Sequence, residues 1–573
     1  MSSSSSTHGA VRLRRAAAAA GLLLALGAGL GRLAGARAAA PVFYPDDPIA
    51  VDDDRAFDAG GAAPIEASDY YDFIENTFFA AGEHARVKAF NVNTADEVPD
   101  SSWFTNRLGR RDLSIEEIVR GPDRFAELSI DGWPIVEGKT EGRQPGWRVA
   151  DPQGRLYQIE FDPPSHPEMA TGAELIGTAL YHAFGYNVVD VYLVEVDPAR
   201  ITISPKATIR DIGGKRRPLT RADVDAVLRR AARRPDGRYR ALASRFADGR
   251  PLGNFRYHGT RPDDPNDIFP HEHRRELRAN RVFAAWLNHD DSRGINSLDM
   301  LVGEPGRRWI RHYMFDFGSI LGSGTDAAQV PRAGNEYIYD LHEGLRTLLS
   351  LGLYLRPWLR IRYPEMPPAV GRFEGTYFDP ERWVPEYPNP AFDNMRDDDA
   401  YWGARILARL SPEAVRAVVA KARYTDPRAT DYLVQTLLVR REKVLRAWLT
   451  RVVPVDDIRL DSGGRLQFTN PAVAAGVAPA PERYLFEWFR FDNATGAHEA
   501  VGGEVVATEP GVPLPAELRG ADYAAVRIRA VHPAHPLWLR RPTRVYFRRT
   551  AEGWQTVGIE RIDDGPPLGG GRE

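Results

Sequence analysis

"MFDFGSIL", Met314 to Leu321, and "NHDDSRGINSLD", Asn288 to Asp299, are the stretches on which the reading of this 573-residue chain turns. In the first, Asp316, Phe317 and Gly318 sit between apolar flanks. A strand is expected to deliver the aspartate into a turn, with the glycine letting the chain veer away. In the second, Asp291 and Asn296 stand five apart in a loop after a helix. That spacing can aim a carboxylate at a hydroxyl while the amide holds a metal, and Asp316, twenty residues after Asn296, can bind the same metal. An Asp and an Asn in a loop make only a turn when taken alone. The order of helix, loop, strand, turn and strand-borne Asp-Phe-Gly carries the signal.

Upstream, Gly132 to Phe161 reads as strands punctuated by "EGKTEGRQPG" and "DPQGR", both with hairpin-turn chemistry. "PEMATGAELIGTALYHAFGY" places Ala173, Leu175, Ile176, Ala179, Leu180 and Phe184 at helical spacing, and Gly185 ends the helix. "VVDVYLVEV" is the next strand. Earlier, Ser114 precedes Glu117 by three residues in a capping box. These elements predict a small α+β lobe.

Downstream of Thr220 the pattern is mainly helical, through "HRRELRANRVFAAWLNH", "LHEGLRTLLSLGLYL", "SPEAVRAVVAKA" and "TDYLVQTLLVRREKVLRAWLTRV". From about Val452 the segments "YLFEWFRF", "YAAVRIRAV" and "RVYFRR" alternate between turns and predict a separate β-sandwich. His271 and His273, beside Arg274, Arg275 and Arg278, read as a solvated helix start rather than a metal site. The arginines are expected to fasten that helix to a lobe interface.

From about Asn91 to Trp448 the chain resembles the protein-kinase-like superfamily, in particular its atypical HipA-type and phosphoinositide-kinase-like members. "WLNHDDSRGIN" and "FDFGSILG" look like a group of bacterial exported proteins with that core. The resemblance implies an α+β fold with a bilobal kinase-like core, nucleotide lying between a strand-rich N-lobe and a helical C-lobe. It implies Asp291 as the residue that orients or deprotonates the acceptor, and Asn296 and Asp316 as ligands of Mg²⁺ or Mn²⁺ bound with ATP or another nucleotide. It also implies a strand lysine on the phosphates, paired with a helix glutamate. Glu174 fits the glutamate.

The strand is "YQIEFDPP", Tyr157 to Pro164, and it has Glu160 where the lysine belongs. Strand alternation puts Tyr157, Ile159 and Phe161 on one face and Gln158 and Glu160 on the other. Facing Glu174 in a cleft, Glu160 would repel both it and phosphate unless a cation intervened. Lys139, one hairpin earlier, can enter the cleft and serve those phosphates, since its ammonium is a point charge on a flexible stem. Arg143 in the same loop is a weaker choice, and a solvated Lys139 is the competing reading.

The N-terminus carries Arg12, Arg14 and Arg15, then "AAAAAGLLLALGAGL", then "ARAAAP". This is the pattern of a secretory signal cleaved near Ala38, and the apolar run is too short to span a bilayer. Residues 1–38 are therefore expected as signal peptide, 39–63 as linker, 64–196 as N-terminal extension and N-lobe, 197–451 as C-lobe and 452–573 as the sandwich. The mature chain would be periplasmic or extracellular, with no transmembrane helix. A balance of 75 Lys and Arg against 78 Asp and Glu offers no bulk field for nucleic acid. The absence of cysteine excludes disulfides and thiolate metal sites. Two functions follow: metal-dependent phosphoryl or nucleotidyl transfer to a protein, lipid or glycan acceptor, or a pseudokinase that binds ligand or scaffolds the envelope without turnover.

Overall fold

A computed structural model describes residues 40–65, 68–139, 142–211 and 213–562; the expected signal segment, 1–38, lies outside them. Two helices precede the first sheet. Ser68 caps α1 (Asp69–Phe78). Ser114 and Glu117 close the capping box of α2 (Ile115–Arg120) as the sequence predicts, each side chain accepting from the other's backbone N–H.

The first sheet holds β1 (Pro134–Gly138), β2 (Gly146–Ala150), β3 (Leu156–Phe161), β4 (Val191–Val196), β5 (Thr202–Arg210), β6 (Arg216–Pro218) and β7 (Tyr239–Arg245). Their order across the sheet is β4-β7-β3-β2-β1-β5-β6. The strand-rich part thus runs well past residue 196, the boundary expected from sequence. β7 escaped the periodicity because it is central: with β3 on one side and β4 on the other, its residues are buried on both faces and show no alternation. Its Arg240 is buried too, donating from Nε to Thr171 Oγ1 at 3.0 Å.

Helix α3 (Met169–Phe184) links β3 to β4, and every residue of it except His182 is buried. Its first turn is tied to the end of β3, Thr171 N–H donating to Asp162 Oδ1 at 3.0 Å. It stops at Gly185, whose φ of 126° is open to glycine and where a Cβ would strike the Phe104 ring.

After α4 (Arg221–Arg229) comes a three-stranded sheet, ordered β10-β9-β8, of β8 (Arg250–Gly253), β9 (Ser297–Val302) and β10 (Trp309–Met314). Around it lie α5 (Arg275–Leu287), α6 (Leu341–Leu349), α7 (Asp397–Ala408), α8 (Pro412–Lys421) and α9 (Pro427–Trp448). The start of α5 is not solvated. His271 and His273 are buried, His271 Nε2 lying 2.8 Å from Asp267 and His273 Nε2 3.0 Å from Glu83. Buried Arg275 reaches Asp96 at 2.6 Å, Asp399 at 3.0 Å and Asp398 at 3.2 Å. Three carboxylates compensate the charge that burial would otherwise forbid.

Residues 452–562 form a two-stranded ladder, β11 (Asp456–Leu460) with β12 (Leu466–Thr469), and one five-stranded antiparallel sheet. That sheet contains β13 (Arg483–Phe491), β14 (His498–Ala507), β15 (Tyr523–Val531), β16 (Thr543–Thr550) and β17 (Gly553–Glu560) in the order β14-β13-β15-β16-β17. Where the sequence suggested a separate sandwich, one face of this sheet shares a continuous core with the helices: Phe486, Trp488 and Ile528 join Leu445, Trp448 and Val452. The segment read as a linker is packed as well. Phe43 is buried among Phe491, Tyr523 and Tyr546, and Ala59 and Ala62 pack on Leu252, Leu301 and Ile310.

Candidate functional site

β3 alternates as expected, with Tyr157, Ile159 and Phe161 fully buried and Gln158 and Glu160 half-buried on the other face. In the ladder Gly146 of β2 stands opposite Glu160, and Gly138 of β1 opposite Trp147. Lys139, the next residue, therefore emerges one strand beyond Glu160, and its side chain crosses the gap at Gly146. A Cβ there would lie 2.2 Å from Ile159 O and 3.4 Å from Lys139 Cδ. Lys139 Nζ donates to Glu160 Oε1 at 2.5 Å and to Gln144 O at 3.2 Å. It is not a solvated hairpin lysine. Arg143 instead reaches away, to Asp326 at 3.5 Å.

The β9–β10 hairpin brings the two sequence motifs together. Met314 pairs with Ser297, and Phe315 N–H donates to Asn296 O at 3.3 Å, so Asp316 emerges beside Asn296. The turn is made at Asp316 itself (φ 64°, ψ 58°), a left-handed conformation that aspartate tolerates. Gly318 does not have a positive φ and a Cβ on it would meet only ordinary contacts, so the veering role expected of it belongs to Asp316. Phe317 is buried against Tyr181 of α3, ring centroids 4.4 Å apart. This approach requires Gly177, since a Cβ there would fall 2.4 Å from Phe317 Cβ.

Asn296 Nδ2 donates to Asp291 O at 2.8 Å, which fixes the loop between them. The Asp291 carboxylate forms an ion pair with Arg293, which also reaches Asp69 and Glu386 at 3.1 Å each. Neighbouring Asp290, unremarked in the sequence reading, accepts from Gln329 Nε2 at 2.6 Å, and burial followed by Asp291 pushes its carboxyl well above the usual range. The doublet in "NHDDSRG" was the available signal. Gln144 and Arg293 were missed as well, because loop residues of these types carry no periodicity.

Electrostatics ties the six expected residues into one place. Burial, then Asp291 and Glu160, raise the Asp316 carboxyl to about 7, against the pull of Lys139 and Arg293. Burial, then Asp316 and Glu160, push Glu174 well above its ordinary value; it accepts from Thr178 Oγ1 at 3.3 Å. Asp291 is raised to about 6, chiefly by burial. This is a crowd of carboxyl groups with one lysine among them, and each would ionise more readily if another cation entered. Oxygen donors from Asp316 and Asn296 suit a hard ion such as Mg²⁺ or Mn²⁺. Among the described residues no group of three or more His, Cys, Asp or Glu side chains is arranged to hold a metal. The cavity of about 730 Å³ beside β4 is lined by none of these six residues.

No family model matches the chain, and no curated protein matches it. Among solved structures it is similar to a Helicobacter pylori proinflammatory kinase, CtkA, at 10% identity over 57% of this chain and 98% of that one, with a TM-score of 0.29. Among the described residues no helix is long and apolar enough to cross a membrane.

Proposed function

We propose that the chain is an exported kinase-like protein whose cleft takes a nucleotide with Mg²⁺ or Mn²⁺, in a bilobal arrangement of the β1–β7 sheet over the helical body. The observation that carries this is the convergence of Lys139, Asp291, Asn296 and Asp316, drawn from three separate stretches of sequence, on one half-buried site. Asn296 and Asp316 would hold the ion, which supplies charge neutralisation for the phosphates. Lys139 offers a second cation, oriented by Glu160 and Gln144. Glu160 thus answers for its position: the lysine enters from the end of β1 instead of from β3, and Glu160, in the strand lysine's place, holds it where the superfamily pattern has the helix glutamate do so. Asp291, raised to about 6, is suited to accept a proton from an acceptor hydroxyl near neutral pH.

One observation favours binding without turnover. Asp291 Oδ1 is engaged by Arg293, itself held by Asp69 and Glu386, so only Oδ2 is left to accept a proton, and the arginine lowers its basicity. Thermal unfolding with and without ATP and Mg²⁺ or Mn²⁺, beside Asp316→Asn, tests the site, because a ligand that binds only the native state must raise the midpoint. A metal-dependent rise lost in the variant supports the proposal; no rise with any nucleotide sinks it. Turnover that survives Asp291→Ala would leave the assigned base without a role.

A further inference from the structure

α6 is a helix that buries none of its residues. Leu341, Leu345, Leu348 and Leu349 recur at helical spacing along one face, and the chain continues through Leu351, Leu353 and Leu355, all exposed. Leu349 is 82% exposed, Leu351 89% and Leu353 86%, so these side chains project from the surface and do not line a groove. The patch continues onto α1 through a ring contact between Phe78 and Tyr339 at 5.1 Å, adding Tyr70, Tyr71 and Phe79, all exposed. A contiguous apolar surface of this kind on a soluble face marks an interaction site.

Charge identifies the occupant. From Ile338 to Arg362 the chain has four arginines against two acids, Asp340, which caps α6, and Glu343, which pairs with Arg346; Arg356 pairs with Glu336. Arg360 and Arg362 are exposed, and among the described residues neither forms an ion pair. The acids of α1 are engaged elsewhere, Asp69 with Arg293, Asp72 with the Tyr387 hydroxyl and Glu75 with Arg256. Leucines projecting from a short helix, with aromatic rings and unpaired arginines beside them, have the composition of an interfacial segment that lies in the plane of an anionic bilayer. A second copy suits the surface less well, because a twofold interface would bring the same arginines face to face. We infer that Ile338 to Arg362, together with the outer face of α1, docks the protein on an anionic lipid surface. This goes beyond the nucleotide reading and does not rest on it, although the patch rims the site: Ile338 N–H donates to Glu386 O, and Glu386 N–H to Asp290 O, at 2.7 Å each.

The chain has no cysteine, so Leu353→Cys gives a unique attachment point for an environment-sensitive fluorophore. Glu552→Cys, on the exposed turn between β16 and β17, is the reference position. With full-length protein and vesicles of phosphatidylcholine containing a quarter phosphatidylglycerol, the label at 353 is expected to shift to the blue and the label at 552 to stay unchanged. Adding Arg360→Glu and Arg362→Glu should weaken the response on the order of tenfold or more. Three results would overturn the inference: no shift at 353, a shift equal on pure phosphatidylcholine, or a shift without vesicles that grows with protein concentration and so reports self-association. Because no nucleotide is present, failure here leaves the thermal-shift test of the cleft untouched, and the reverse holds.

Discussion

Lys139 Nζ lies 2.5 Å from Glu160 Oε1, across the gap left by Gly146 on the intervening strand. The carboxylate that seemed misplaced in "YQIEFDPP" is thereby the lysine's anchor. Both side chains are largely shielded, at 13% and 21% exposure, so the pair is stronger than a surface bridge.

Removing the lysine leaves Glu160 facing Asp316 and Glu174 with no adjacent cation. Lys139→Ala is expected to cost about 1–3 kcal/mol and to abolish any nucleotide-induced rise in midpoint. Adding Glu160→Gln should restore much of the stability but not the nucleotide response. Urea unfolding of the two single variants and the double variant checks the coupling.

The Asp316 carboxyl has a folded-state value of about 7 against an ordinary 3.8, so the native protein keeps a proton that the unfolded chain has already lost. Native binding of the extra proton means stability falls as pH rises from about 4 to about 7. Asp316→Asn should therefore stabilise the ligand-free protein by about 2 kcal/mol at pH 8 and have little effect near pH 4, as read from unfolding midpoints across that range. Metal must compete with the same proton, so Mn²⁺ should raise the wild-type midpoint more at pH 8 than at pH 6.

Gly177→Ala would drive a methyl into Phe317 Cβ and displace the turn that carries Asp316. A loss of about 1–3 kcal/mol is expected, together with loss of the metal-dependent midpoint rise. An unaltered metal response in the folded variant would show that the turn is not positioned through α3.

Arg275 is buried among Asp96, Asp398 and Asp399. Arg275→Ala removes the cation that three buried carboxylates share and leaves each with one other arginine, Asp96 with Arg561, Asp398 with Arg396 and Asp399 with Arg278, and should cost about 3 kcal/mol in denaturant unfolding. The effect should shrink below about pH 4, where the acids of the unfolded chain also take up protons.

The amino-acid sequence by itself determined the local elements: the β1–β3 strands, α3 and its glycine stop, the Ser114 cap, and the two loops that present Asp291 with Asn296 and Asp316. Each of these rests on interactions within a few residues, which periodicity and capping chemistry report directly. Tertiary structure alone decided the rest. β7 could not be read as a strand because central burial erases alternation, and it became the partner of both β3 and β4 only through the ladder. The burial of His273 and Arg275 depended on acids as far as 190 residues away, Glu83 and Asp96, that no local pattern reveals. The same holds for the site's central fact. Lys139 and Glu160 are 21 residues apart in the chain, and only the register of β1, β2 and β3, with a glycine between them, turns a misplaced acid into a salt bridge.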